Sequence, residues 1–204
     1  RPFDGPLTLQ GSATLWLEIV EYLKSITTKI DNLLISVGGG GLISGVSSYV
    51  KQFYPKIKII GVEPENANGL NQSLKANQPL NNVNVNSIAD SLSAPLHMQY
   101  SFDVAKEVID EMVTVSDDQM KEFMVFCHKK FKLFLEPACV AGLAALKYKI
   151  NNNINGKNTM VILCGSNIDK KSWVSLTNYS GKYKIPTLKF FFTPVVFLLL
   201  ISKF

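Results

Sequence analysis

Four consecutive glycines, Gly38–Gly41, stand directly after the apolar run Leu33–Val37. Ordering glycine costs more backbone entropy than ordering any other residue, so a run of four needs a reason. A glycine-rich turn between a strand and a helix leaves backbone amides unobstructed. The helix expected to begin at Leu42 adds its own unpaired amides and the positive end of its dipole. Together these make a site for an anion, most often a phosphate. A tight turn or a close helix–sheet contact would ask for one or two glycines, and four exceed that need.

The spacing narrows the kinds of phosphate. A dinucleotide fingerprint requires G-x-G-x-x-G, but its last position falls on Ser44 or Ile43. A Walker loop would use Gly40 and Gly45, and Val46 then stands where lysine is needed. Glu63 lies where an acid could meet a ribose, so a non-catalytic nucleotide- or phosphate-binding α/β module remains an alternative. Cys127, Cys139 and Cys164 are too few and too far apart for a disulfide framework or a zinc site, and an odd count fits a reducing compartment. A cytoplasmic location is the expectation. His97 and His128 share no ligand spacing and are assigned to neither metal nor catalysis.

The rest of the chain must position these groups. A chain of 204 residues with 47% apolar and 18% charged residues can bury a sizeable core. The net charge of +5 is spread over scattered lysines, which argues against a nucleic-acid partner, and the nearest basic run, His128–Lys132, falls in a helical pattern as a solvated face. Apolar residues at helical spacing predict helices over about 14–28 and 42–53, and Leu33–Val37 and Ile57–Val62 read as buried strands. Strand, glycine turn, helix and strand form a βαβ unit, the building block of parallel sheets. Further on, the pattern predicts a short helix over 69–75, a helix over 102–109 and a strand over 112–115. Ser116 and Gln119 have capping-box spacing and should open a helix to about Leu133. Pro137 suits the first turn of another helix, and Thr159–Leu163 is a second buried strand. The fold class is α/β: an open, mostly parallel sheet with helices on both faces, its ligands at the strand carboxyl ends.

Residues 1–170 form the cofactor-binding unit in this division, and 171–204 a separate tail. The apolar run Phe190–Ile201 is shorter than the roughly 20 residues that span a bilayer, and Pro194 interrupts it. No membrane partner is expected. A tail foreign to the domain, or a buried terminal strand, are the other options.

Several of these segments together resemble one family. Ser36-Val-Gly-Gly-Gly-Gly-Leu-Ile-Ser-Gly45 resembles the phosphate loop of fold type II pyridoxal-phosphate enzymes, the tryptophan synthase β-like family. Pro2-Phe-Asp4 with Gln10-Gly-Ser12, Gly61-Val-Glu-Pro64, Glu136-Pro-Ala-Cys-Val-Ala-Gly142 and Leu163-Cys-Gly-Ser-Asn167 are similar to four further family segments, in the family's order. Ile88–Ser93 and Val115–Asp118 look most like the threonine/serine dehydratase and serine racemase branch. The resemblance implies pyridoxal phosphate as cofactor, a small hydroxy amino acid as substrate, and a homo-oligomeric parent. It places the phosphate on Gly38, Gly39, Gly40, Gly41 and the Leu42 amide. It puts Cys164 opposite the pyridine nitrogen, where a neutral group leaves the ring a weaker electron sink, suited to β-elimination. It also implies a divalent-cation site at Glu63 and the Ala67 carbonyl, with Gly69 where an acid would complete it. Glu136 is either a carboxylate near the cofactor or a residue placed to meet a helix dipole.

The family's Schiff-base lysine lies in a Ser-x-Lys-x-Arg-type segment, and none occurs among these residues. The resemblance therefore implies the C-terminal part of a pyridoxal-phosphate ammonia-lyase, without turnover by itself and with no catalytic residue of its own to assign.

Overall fold

Successive strand residues face opposite sides of a sheet, and here the two sides feed two separate cores. In the computed structural model, which describes residues 2–26, 29–150, 157–179 and 196–201 (of 25, 26 and 196–201 the backbone alone), both cores are continuous. Leu34, Ile60, Val62, Val161 and Leu163 enter one core. Leu33, Ile35, Ile59, Met160 and Ile162 enter the other. Every residue of β1 (Asn32–Ser36) is buried, as a strand covered on both faces must be.

β1, β2 (Lys58–Pro64), β3 (Glu111–Val115) and β4 (Thr159–Cys164) pair in parallel in the order β3-β2-β1-β4. Helices α1 (Pro6–Ile26), α2 (Gly41–Phe53), α3 (Gly69–Ala76) and α4 (Gln99–Val108) group together. α5 (Asp117–Phe131), α6 (Pro137–Tyr148) and α7 (Lys170–Thr177) form the other helical layer, with α6 against the sheet. α6 is buried from Pro137 to Leu146, its small residues letting it sit close to the strands. Ser116 and Gln119 make the capping box expected from their spacing, each side chain bonding the other's backbone amide.

Three features differ from the sequence expectation. α1 begins at Pro6 rather than near 14, because Gly11 and Ser12, which look like a turn, sit inside the helix. The Ser12 hydroxyl returns to the Thr8 carbonyl at 3.0 Å, and Gly45 of α2 lets α1 approach closely. α7 is unanticipated, since its pattern is short. It is capped by Asp169, which accepts from the Ser172 amide, and anchored by fully buried Trp173. His128, in a basic run expected to face solvent, is buried against the rings of Phe134 and Trp173, at 4.4 and 5.3 Å between centroids, while Lys129 and Lys130 are exposed.

The segment 196–201 forms β5, antiparallel to β4. The first six residues of the apolar run, 190–195, and the polar turn at 151–156 lie outside the described residues. Among the described residues, no helix is long and apolar enough to cross a membrane.

The strand order carries the functional consequence. From β1 the chain crosses through α2 to β2 on one side, while β4 lies on the other. Between β1 and β4 the sheet therefore has a topological switch point, and a crevice opens there at the carboxyl ends.

Gly45 tests how tightly the α1–α2 layer is set. A Cβ there would lie 2.3 Å from the Leu9 carbonyl oxygen and 2.8 Å from Ser12 Cβ. Gly45→Ala should gain about 1 kcal/mol of helix propensity. It should lose more to overpacking against a backbone atom that cannot rotate away, for a net destabilisation of about 1–2 kcal/mol. A lowered urea midpoint with an unchanged m-value is the expected result.

Candidate functional site

The glycine loop leaves β1 and enters α2 at the switch point. Gly40 is in the left-handed region, with φ of 95°, which glycine alone adopts without strain. The other three glycines are held by close approach. A Cβ on Gly38 would lie 2.9 Å from the Ser91 carbonyl oxygen, one on Gly39 2.3 Å from the Phe3 ring, and one on Gly41 2.9 Å from the Phe3 backbone. Each glycine thus has a conformational or packing reason, so the count of four does not by itself argue for an anion. The cavity does.

That cavity has a volume of about 230 Å³ and is bounded by the loop from Ser36 to Ile43, by Phe3, Ser91 and Leu92, and by Glu136, Ala138 and Cys164. Among the described residues, the amides of Gly38–Ile43 have no acceptor, and the first return bond of α2 is Ser44 N to Gly40 O at 2.9 Å. The Ser36 hydroxyl is buried and without a partner there too. A row of unused amides and an orphaned hydroxyl, at the positive end of a 13-residue helix, fit a phosphate. Ser36 stood in the motif from the start, but a lone serine at a strand end carries no sequence signal of its role.

The opposite wall is acidic and neutral-sulfur. Glu136 is 7% exposed and caps no helix amide. Its Oε2 accepts from the Asn167 amide at 3.1 Å, and its Oε1 from the Ser91 hydroxyl at 3.4 Å. Gly165, at φ of 129°, makes room for it, because a Cβ there would lie 2.3 Å from Glu136 Oε1. Burial, and then the charge of Asp90, push the Glu136 carboxyl above its usual range. Burial, and then Glu136, push the Cys164 thiol up as well, so it stays protonated. Of the two readings of Glu136, the geometry favours the carboxylate in the cavity.

Two residues brace the loop from behind. Asp4 accepts from the Ser101 amide in the first turn of α4 at 2.8 Å, pinning the segment that places Phe3 on the glycines. His97, assigned to nothing from the sequence, is 4% exposed, with Nε2 3.1 Å from the Gly38 carbonyl oxygen. A carbonyl only accepts, so Nε2 is the donor and Nδ1 keeps the lone pair. Burial lowers the His97 pKa, keeping it neutral in this position.

Glu63 and Ala67 fall outside the cavity, at the turn from β2 to α3. Both oxygens of Glu63 accept backbone amides, from Leu70 at 2.8 Å and Asn71 at 2.9 Å. The space beside Gly69 belongs to His97, whose Cε1 would lie 2.6 Å from a Cβ there. Among the described residues, no three His, Cys, Asp or Glu side chains gather to hold a metal. This corner has one carboxylate, Glu63, whose two oxygens are already engaged.

Glu63 is 1% exposed, and burial pushes its pKa up to about 7 against the pull of the two amides. Between about pH 4.5 and 7 the folded chain holds a proton that the unfolded chain has released. Stability from this group is therefore greatest below about pH 4.5 and falls as the pH rises through 7, by on the order of 3 kcal/mol. Glu63→Gln cannot ionise, so its urea midpoint should fall less than the parent's across that window. Parallel pH profiles would contradict the assignment.

Comparison with known proteins agrees with this geometry. The family model described as "Pyridoxal-phosphate dependent enzyme" matches residues 1–165. Phenylserine dehydratase of Ralstonia pickettii is 39% identical over 169 residues, covering 83% of this chain and 51% of its own length. The catabolic L-threonine dehydratase of Escherichia coli K12 is 30% identical over 179 residues, covering 87% and 53%. The structure of processed threonine deaminase isoform 2 from Solanum lycopersicum superposes with a TM-score of 0.80 at 33% identity, covering 89% and 52%. The chain spans about half the length of the relatives it matches. A buried β1, a glycine turn opening on free amides, a neutral thiol across the cavity and a family match over most of the length converge, and the chain belongs to the pyridoxal-phosphate-dependent enzymes, in the threonine dehydratase and serine racemase branch.

Proposed function

We propose that the whole protein is an ammonia-lyase that eliminates water from a small hydroxy amino acid, after which water returns to hydrolyse the resulting imine to a 2-oxo acid and ammonia, and that this chain contributes half of its cofactor site. The observation that carries this is the cavity between β1 and β4, with free amides and the orphaned Ser36 hydroxyl on one wall and Glu136 and Cys164 on the other. The relatives named for such dehydrations support the substrate class.

Each residue has a defined part. The amides of Gly38, Gly39, Gly40, Gly41 and Leu42, with the Ser36 hydroxyl, hold the phosphate. Because those donors are fixed by the fold, they cost no reorganisation when the phosphate arrives. Pyridoxal phosphate supplies an electron sink for the bonds at the substrate's Cα. Cys164, a neutral thiol on the cavity wall, would stand toward the pyridine nitrogen and would not protonate it. Glu136, its pKa raised by burial, takes up a proton at the cavity wall more readily than a free carboxylate. Glu63 and the Ala67 carbonyl remain the place where a divalent cation would attach. The parent acts as a homo-oligomer.

The non-catalytic nucleotide-binding reading is weaker. Glu63, the acid it would offer a ribose, is buried with both oxygens engaged. The amine that would join the cofactor is a separate matter: no Ser-x-Lys-x-Arg segment occurs in these 204 residues. The chain is therefore proposed to bind without turning over.

Titration with pyridoxal phosphate, followed by ³¹P NMR, tests both levels. The phosphate signal should shift on binding. Gly40→Asp, which puts a carboxylate and a strained φ at the centre of the cradle, should weaken binding at least about tenfold. Unchanged binding by that variant would remove the phosphate assignment. The same sample given threonine should form no 2-oxobutanoate, and measurable product would refute the absence of turnover.

A further inference from the structure

A second and larger cavity, of about 750 Å³, lies at the other end of the sheet. Its walls come from the C-terminal half of α1, the segment entering β1, and the end of α2 with the turn into β2. The cofactor cavity lies at the start of α2, so the two are separated by the length of that 13-residue helix, about 20 Å.

The walls are apolar, with Trp16, Val20 and Phe53 prominent. Phe53 is 55% exposed, so its ring is open to a ligand in the hollow. Lys24, Lys29 and Lys56 also line it, and all three are exposed. None of them is in an ion pair or side-chain hydrogen bond with another described residue. The lysines next to them in sequence are committed elsewhere: Lys51 to Asp110 at 2.6 Å and Lys58 to Glu111 at 2.6 Å.

An apolar hollow with three lysines that have no ionic partner among the described residues describes the complement of an amphiphile with an oxyanion head. We propose that this cavity binds a free medium-chain carboxylate, its alkyl chain against Trp16, Val20 and Phe53 and its head among Lys24, Lys29 and Lys56. Lysine suits this role, because its methylene stem can lie along the alkyl chain while the ammonium meets the carboxylate. The site is independent of the coenzyme and of the reaction proposed above.

Calorimetric titration of the 204-residue chain with decanoate, below its micellar concentration, is the test. One site with a Kd in the region of about 0.1–1 mM is expected for a ligand of this size. Decyltrimethylammonium, with the same chain and the opposite charge, should bind at least about tenfold more weakly. The double variant K29E/K56E should weaken decanoate about tenfold. Val20→Trp keeps every lysine, fills the hollow and should abolish binding. No heat with the parent chain at about 2 mM decanoate would overturn the proposal. So would equal binding of the two amphiphiles, or parent-like binding by Val20→Trp. If circular dichroism shows that Val20→Trp does not fold, the lysine variant decides, and an unchanged decanoate affinity in it overturns the proposal.

Discussion

The closeness of the backbone around the glycine turn governs everything at the carboxyl end of the sheet. Phe3 presses on Gly39 and Gly41, the Ser91–Leu92 segment presses on Gly38, and Gly40 turns through a left-handed conformation. Side chains on that loop would hold the Phe3 and Ser91 segments off it, and the cavity those segments help to line would lose its shape. Asp4 and His97 are the clamps that keep the outer segments in place, one through the Ser101 amide and the other through the Gly38 carbonyl. The cost of ordering glycine four times is set against amides held unpaired and facing one small space. Such amides are unfavourable unless an anion or water takes them up, which is why a loop of this kind marks a binding site rather than a structural turn.

The opposite wall obeys a related constraint. A carboxyl group and a thiol are buried within one cavity, and burial disfavours the ionised form of each. Among the described residues that line the cavity, neither is matched by a cation. That wall therefore favours the protonated forms, opposite a loop whose unpaired amides are donors. The site favours the anionic arm of a ligand at the glycines. Gly165 belongs to this wall as Gly40 belongs to the other, a positive-φ residue whose missing side chain admits the Glu136 carboxylate.

Much of this is legible in the chain. The continuous apolar runs of β1 and β4, the Ser116–Gln119 capping box and the Pro137 helix start are local signals, and local signals survive folding. The order of the family-like segments locates the cavity before any coordinates. What could not be read depends on distant partners. The start of α1 is hidden because Gly11 and Ser12 look like a turn, and only the packing of α1 against Gly45 makes that stretch helical. The role of Ser36 is invisible because a hydroxyl becomes significant only when nothing accepts or donates to it. His97 has no motif, and its partner is 59 positions away in the chain. α7 is too short for periodicity to announce it, and Trp173 is its only buried residue.

Gly69 has a structural reason of its own. The sequence resemblance leads to the expectation of an acid there, beside Glu63. In the fold, the volume an acid's Cβ would take is held by His97, the residue that bonds the Gly38 carbonyl. A larger residue at 69 would push on the imidazole, and the imidazole's other nitrogen is tied to the phosphate loop. Glu63 meanwhile accepts two amides at the start of α3, and burial makes it take up a proton more readily. The corner thus holds a brace on the glycine loop where a larger residue at 69 would stand. The shape of the cofactor cavity and the chemistry of the β2–α3 turn are linked through one buried ring.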